Sequence, residues 1–304
     1  MLKTVLKTLW ILVKVYNTLH YLLDFSSKKI FVNAYIWKIG QFQRKFNLGD
    51  DLNTIILEAI SGKKVYNLKD TFISTDNILF IGSIIEDFTN QKSIIWGAGV
   101  MNGEGLIKIP PKRICAVRGP KSRDFLIRNG FDCPEVYGDP ALLLPIIYKP
   151  INIVKKHKYG IIPHYTELNH DRLYQLTKLF KSYTIINLHN YHSWQAIIDQ
   201  LCECECILSS SLHGIILSDS YNIPNGWIKL SNNILGNNFK FIDYFMSVGR
   251  NIDQPLNLSE KEITKYFENY THPHININDF LDNAPIPLDP VLKNRAMQYY
   301  KTQN

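Results

Sequence analysis

The sequence predicts a mixed α/β chain built on parallel sheets, and three observations lead there. Short apolar runs recur at 78–85, 93–99, 113–117, 159–163, 183–188 and 206–210, separated by longer stretches of helical periodicity. Such alternation is the pattern of strands joined by crossover helices, with both sheet faces covered. At 304 residues and 45% hydrophobic, the chain is long enough for two cores. Composition also shifts at 144–158, where Pro145, Pro150 and Lys155-Lys156-His157-Lys158 mark a surface connection between two halves. The expected domains are 26–148 and 149–290, with a ligand cleft between their sheets.

The segment 1–25 is apolar but interrupted by Lys3, Lys7 and Lys14, so it lacks the ~18 to 20 uncharged residues of a spanning helix. On a helical wheel those lysines fall within roughly 40° of one another, with Trp10, Leu12 and Tyr16 elsewhere. This basic amphipathic helix either lies in a lipid headgroup layer or packs on a domain. Next, Asn47-Leu48-Gly49-Asp50 opens a helical pattern running to Ile60, with Asp50 as its expected cap. Its N–H groups either face an anion or simply start a capped helix. The run 93–99 ends in Trp96-Gly97-Ala98-Gly99, small residues that admit a ligand or another backbone. No third glycine follows at dinucleotide-fingerprint spacing.

The run 113–117 delivers Arg118 to a Gly119-Pro120 turn before a helix expected near Ser122. A guanidinium there either grips a carboxylate or phosphate or is solvated. In Gly138-Asp139-Pro140 the aspartate reads as an N-cap and the proline as the first helical residue. The run 159–163 leads to His164, at a strand end. Cys202, Cys204 and Cys206 read as buried thiols before the run 206–210. That run enters Ser210-Ser211-Leu212-His213-Gly214 and a helix that stops before Pro224. His213 thus occupies the carboxyl edge of a strand and the amino end of a helix, the crevice position of open α/β sheets. A structural histidine is the competing reading; an anion bound there would raise the imidazole's affinity for a proton. After Pro273 the chain reads as loop until a helix within 291–304 that returns to the first domain.

A net charge of +7 suits a membrane surface, a nucleic acid or an anionic small substrate. No basic-aromatic nucleic-acid module is evident, so no nucleic acid is expected. Neither paired Cys motifs nor HExxH spacing occurs, so no metal is expected; Walker, Gly-x-Ser-x-Gly and kinase signatures are missing too. Five sparse cysteines suit a reducing compartment.

Taken together, the segments at 47–50, 96–99, 117–120, 138–140, 162–164 and 210–214 occur in an order that resembles the polysaccharide pyruvyl transferase family. The resemblance covers about 35–230 and is most specific at Ser210–Gly214 followed by Tyr221-Asn222-Ile223-Pro224. It implies two Rossmann-like domains in a GT-B-like arrangement, phosphoenolpyruvate as donor, a sugar of a cell-surface glycan as acceptor and no cofactor. Some members carry an arginine where this chain has Ser211. The reaction protonates the donor's methylene carbon, two sugar hydroxyls add at C2, and phosphate leaves. On this resemblance His213 is the expected general acid, with Arg118 and Asp50 also catalytic. Arg118, Ser210, Ser211, Leu212, His213, Gly214 and His164 would hold the donor; Asn47, Asp50 and Trp96 would hold the acceptor. A polyprenyl-linked acceptor at the inner face of the cytoplasmic membrane would give the N-terminal helix its purpose. Competing readings are a nucleotide-sugar glycosyltransferase, though Glu260 and Glu262 lie far from 210–214 for ribose contacts, and a non-catalytic glycan-binding member.

Overall fold

A computed structural model of the protein describes residues 2–24, 29–39, 42–45, 47–232, 235–236 and 238–303. The first half comprises α1 (Leu2–Leu23), β1 (Lys29–Val32), an antiparallel hairpin of β2 (Trp37–Ile39) and β3 (Phe42–Lys45), α2 (Leu48–Ser61), β4 (Lys64–Asn67) and β5 (Asn77–Leu79). It continues through α3 (Ile85–Phe88), β6 (Ser93–Trp96), β7 (Arg113–Ala116), α4 (Pro120–Arg128), a 3-10 turn at Pro140–Leu143 and α5 (Leu144–Ile147). Five described strands pair in parallel in the order β4-β1-β5-β6-β7, so the order reverses between β1 and β5.

The second half repeats the scheme with β8 (His157–Ile162), a 3-10 turn at Tyr165–Glu167, α6 (Asp171–Thr177), β9 (Tyr183–Ile185), α7 (Trp194–Cys202), β10 (Cys204–Ser209), α8 (Leu212–Ser220) and β11 (Asn225–Trp227). Its described strands are parallel in the order β11-β10-β8-β9, which reverses between β8 and β10. Ligands of open parallel sheets bind beyond the carboxyl ends at such a reversal, and here those ends lead into His164 and Ser210. Then come α9 (Phe239–Ser247), α10 (Glu260–Glu268), α11 (Asn278–Asp282) and α12 (Pro290–Gln303).

Several expectations change in detail. The run 78–85 is a three-residue strand followed by a loop and the start of α3. The tail after Pro273 is interrupted by α11. Asp50 does not cap α2; Asn47 holds the N-cap position, and Asp50 and Asp51 lie in the first turn, where carboxylates favour the positive end of the helix. Asp139 does cap the turn at Pro140–Leu143, accepting the Ala141 N–H at 3.0 Å. The cysteines are free, and burial pushes the thiols of Cys202 and Cys206 up to about 11 and that of Cys204 up to about 12.

One apolar cluster runs through both halves, joining Leu48, Leu52 and Ile56 of α2 to Leu142–Leu144 and to Leu212, Ile215 and Ile216 of α8. Helix α8 is buried on nearly every side, which its sequence of Leu, Ile and small residues permits. The tail also returns to the first half. The Trp96 indole N–H donates to the Phe280 carbonyl at 3.0 Å with the rings stacked at 4.9 Å, and the Tyr300 hydroxyl donates to the Leu142 carbonyl at 2.5 Å.

Helix α1 docks by its polar side. Trp10 Nε1 donates to Asp70, Asn17 Nδ2 to the Asp70 carbonyl, and the Phe72 N–H to Thr18 Oγ1, while the Lys14 ammonium sits 4.0 Å over the Trp10 ring. The outward side carries Ile11, Leu12, Val15, Tyr16, Leu19, Leu22 and Leu23, each at least 41% exposed. Packing on the domain and an outward apolar face therefore coexist, with Trp10 and Lys14 on the docked side. The side chains of Lys3 and Lys7, and the junction expected at 25/26, lie outside the described residues. No described helix is long and apolar enough to cross a membrane.

Candidate active site

The carboxyl edge of the second sheet builds one wall of the site. Ser209 Oγ donates to the Ile162 carbonyl at 3.0 Å and accepts the Ser211 N–H at 3.0 Å, which turns the chain sharply from β10 into α8. Gly214 lets α8 sit directly on that turn, since a Cβ there would fall 2.2 Å from Ser209 Oγ. Ser211 is the N-cap of α8, yet its hydroxyl caps nothing, so the first-turn N–H groups stay open at the amino end of the helix. His213 lies in that turn, and its ring makes no hydrogen bond with a described residue.

Helix α2 supplies the facing wall. The His213 ring packs flush against Gly49, where a Cβ would stand 2.1 Å from Nδ1. Beside it, Asn47 Nδ2 donates to Asp50 Oδ2 at 2.7 Å. Burial, then the neighbouring Asp51, pushes the Asp50 carboxyl up to about 7 against the pull of Asn47 and Lys69. The start of α2 is tied to the second half by the Leu48 N–H to the Leu188 carbonyl at 2.9 Å and by Tyr191 Oη to Asp51 at 2.7 Å. Beside this seam Tyr165, 52% exposed, stacks on His189 and meets the His164 ring at a tilt.

The surroundings of His213 are cationic. Burial lowers its imidazole to about 3, and Lys240, Arg118 and His164 add to that push. His164 is lowered to about 4 by burial and by Lys240. In the empty site both imidazoles are thus neutral, and an anion bound beside His213 would raise its affinity for a proton.

Arg118 is placed differently from a gripping side chain. Only 1% exposed, it gives Nε and Nη2 to Asp243 at 3.0 Å each, Nη1 to Ser83 Oγ at 2.6 Å and Nη2 to the Val100 carbonyl at 2.8 Å. Gly99 leaves it the necessary room, a Cβ there falling 2.2 Å from Cζ. The small residues after β6 thus admit a guanidinium rather than a ligand. Asp243 comes from α9, which crosses from the second half; it also accepts the Ser122 N–H at 2.8 Å and hydroxyl at 2.6 Å.

Other expected residues do not reach the crevice. Trp96 is fully buried between Phe80 and Phe280, so it contacts no acceptor. Ser210 Oγ donates to the buried Glu167 at 2.5 Å and accepts the His164 N–H at 3.0 Å, which makes it a brace for the edge. The Leu212 side chain belongs to the core, and Leu212 and Gly214 offer the crevice only backbone. Sequence reasoning missed Lys240, Asp243 and Glu167, which lie outside any motif-like segment; a helix presenting Lys240 and Asp243 one turn apart was the one available signal.

A histidine at the carboxyl edge of a parallel sheet and the open amino end of a helix occupies the ligand crevice of an α/β protein. The chain belongs to the polysaccharide pyruvyl transferase family, whose model matches residues 7–232, about three-quarters of its length. It is also 27% identical over 258 residues to "Uncharacterized protein L143" of Acanthamoeba polyphaga mimivirus, covering 84% of this chain and 86% of that protein. Family membership makes the chain a transferase of polysaccharide synthesis.

Proposed function

We propose that the protein moves the pyruvyl group of phosphoenolpyruvate onto two hydroxyls of one sugar in a cell-surface polysaccharide precursor, releasing phosphate. The observation that carries this reading is the His213 ring, free of described protein partners and set at the open amino end of α8 where two walls meet. A donor bearing a carboxylate and a phosphate binds there and draws a proton onto the imidazole. His213 then protonates the methylene carbon, and positive charge develops at C2. One sugar hydroxyl attacks C2 and loses its proton, the C–O bond to phosphate breaks, and the second hydroxyl closes the ketal and loses its own. The balance is redox-neutral: two hydroxyl protons enter, one ending in the new methyl group and one on phosphate.

Asp50, held at about 7, accepts a hydroxyl proton near neutrality, with Asn47 fixing its orientation. The open N–H groups of α8, the Ser211 hydroxyl and His164 line the donor's position. Arg118 braces the wall from behind through its pair with Asp243. The two walls correspond to the domains of a GT-B-like arrangement. The acceptor is proposed to be polyprenyl-linked, reached at the cytoplasmic face of the membrane through the outward side of α1.

The test is phosphate release from phosphoenolpyruvate with a panel of aryl and lipid-linked sugars. Wild type is expected to release phosphate only with the right acceptor, and His213→Asn to lose about 10²- to 10⁴-fold, the usual worth of a general acid. No release with any acceptor, or full activity in the variant, overturns the reading.

A further inference from the structure

The carboxyl edge of the second sheet holds a cleft that the proposed reaction does not use. It has a volume of ≈ 290 Å³ and is lined by His170, Arg172, Leu230, Ser231 and Asn232. Small-molecule sites occupy about 300–1,000 Å³, so the cleft is close to the lower end of their range. His170 and Arg172 lie on the continuation of β8, and Leu230, Ser231 and Asn232 on that of β11. β10 runs between those two strands, and its own continuation is the turn that presents His213.

One buried side chain joins the cleft to the crevice. The fully buried Glu167 carboxylate accepts the Ser231 hydroxyl at 2.6 Å on one oxygen and the Ser210 hydroxyl at 2.5 Å on the other. Ser210 Oγ in turn accepts the His164 N–H at 3.0 Å. A wall of the cleft and the start of the His213 turn are therefore bridged by a single carboxylate. What binds in the cleft lies within reach of what binds in the crevice.

The lining is rich in donors that the protein itself leaves unspent. His170 Nδ1 accepts the Arg172 N–H at 3.2 Å, which puts the proton of the neutral ring on Nε2. That Nε2, the exposed Arg172 guanidinium and the Asn232 amide make no hydrogen bond or ion pair with a described residue. An imidazole N–H, a carboxamide and a guanidinium around one small cleft suit a ligand dense in oxygen acceptors, as a sugar is. The planar guanidinium adds a preference for a carboxylate, which it holds through two parallel N–H groups.

We propose that this cleft is a second sugar subsite, seating a carboxylate-bearing unit next to the sugar that faces His213. Arg172 takes the carboxylate, and His170 and Asn232 take ring hydroxyls. The place of that unit within an acceptor rests on the reading above. The cleft's affinity for an acidic sugar does not, because it is measured without phosphoenolpyruvate.

The experiment is calorimetric titration of the full chain, with no donor present, against hyaluronan tetrasaccharide, in which glucuronate alternates with N-acetylglucosamine, and against the neutral chitotetraose. Arg172→Gln and Asn232→Asp alter the lining; Lys178→Gln removes one charge just beyond α6, where its ammonium lies 4.2 Å over the Tyr174 ring and lines no part of the cleft. Wild type is expected to bind the acidic tetrasaccharide about tenfold tighter than the neutral one, the worth of a charge-assisted pair. Arg172→Gln and Asn232→Asp should erase that preference, and Lys178→Gln should keep it. Equal binding of the two sugars by wild type, binding of neither, or an equal loss in Lys178→Gln, which would mark attraction by net charge alone, each overturns the proposal. If the acidic sugar binds through Arg172 while no acceptor releases phosphate from phosphoenolpyruvate, the pyruvyl reading falls and the cleft stands; acceptor-dependent release with no preference for the acidic sugar gives the reverse.

Discussion

At Gly49 a single methyl group decides where the His213 imidazole can sit. Alanine is worth about 1 kcal/mol more than glycine within a helix, so propensity alone favours Gly49→Ala. The added Cβ nevertheless falls 2.1 Å from Nδ1 and displaces the ring. The expected outcome is a folded protein whose phosphate release drops by about 10²-fold, a usual consequence of misplacing a reacting group by about 1 Å, checked by circular dichroism melting beside the release assay.

A second prediction concerns protons. His213 at about 3 and His164 at about 4 are neutral in the empty site near pH 6. A bound dianion stabilises their charged forms, so the bound state holds more protons and affinity rises as pH falls toward the free values. Sulfate, which does not titrate in this range, should bind with net proton uptake, measured by calorimetry in two buffers of different ionisation heat. His213→Asn should remove most of that uptake. Lys240, lowered to about 8, is already protonated there and adds little to the signal.

Residue legibility followed from what a motif can say. The stretch Ser210–Gly214 exposes its meaning locally, because a strand end, a turn and a helix start are contiguous. Trp96 and Lys240 show the opposite case. Each is defined by a neighbour more than 120 positions away, Phe280 for the tryptophan and the first-half Arg118 as neighbour of α9 for the lysine, and no local pattern announces either.

Among the elements, α9 is the bracket across the site. Asp243→Ala leaves the Arg118 guanidinium buried and uncompensated, and removing one partner of a buried pair costs about 3–5 kcal/mol. Urea denaturation should show that loss, and the double change Arg118→Met with Asp243→Leu should recover a large part of it. Recovery identifies the cost as the orphaned charge; none would point to lost packing of α9. Elements were legible where a local signal is strong: the helical pattern after Asn47 gave α2, though its cap is Asn47 and not the expected Asp50, and Asp139-Pro140 opens its turn as expected. β11 and β4 were not, because Asn225-Gly226-Trp227 and Lys64-Val65-Tyr66-Asn67 are short and contain residues poor in strands; pairing to β10 and β1 imposes their shape.

For the whole molecule, strand–helix alternation revealed two parallel sheets, while their joining by a common core and by the returning tail left no periodic trace. The outward face of α1 belongs to this scale, since it determines what the assembled protein touches. Vesicles containing anionic phospholipid are expected to float the wild type, and Leu12→Asp with Leu19→Asp, on exposed positions, to abolish flotation without lowering the melting temperature. Equal flotation of both removes the bilayer as the partner of α1.

The stacking of Trp96 on Phe280 spans 184 positions, and this bears on how the chain is made. During synthesis the first sheet emerges early, but the ring that covers its tryptophan arrives 184 residues after it. At about 5–20 residues per second, the ribosome leaves that flank uncovered for roughly 10–40 s. The nascent protein therefore passes through a long interval with an unfinished apolar surface, and its dependence on chaperones should be set by the arrival of α11.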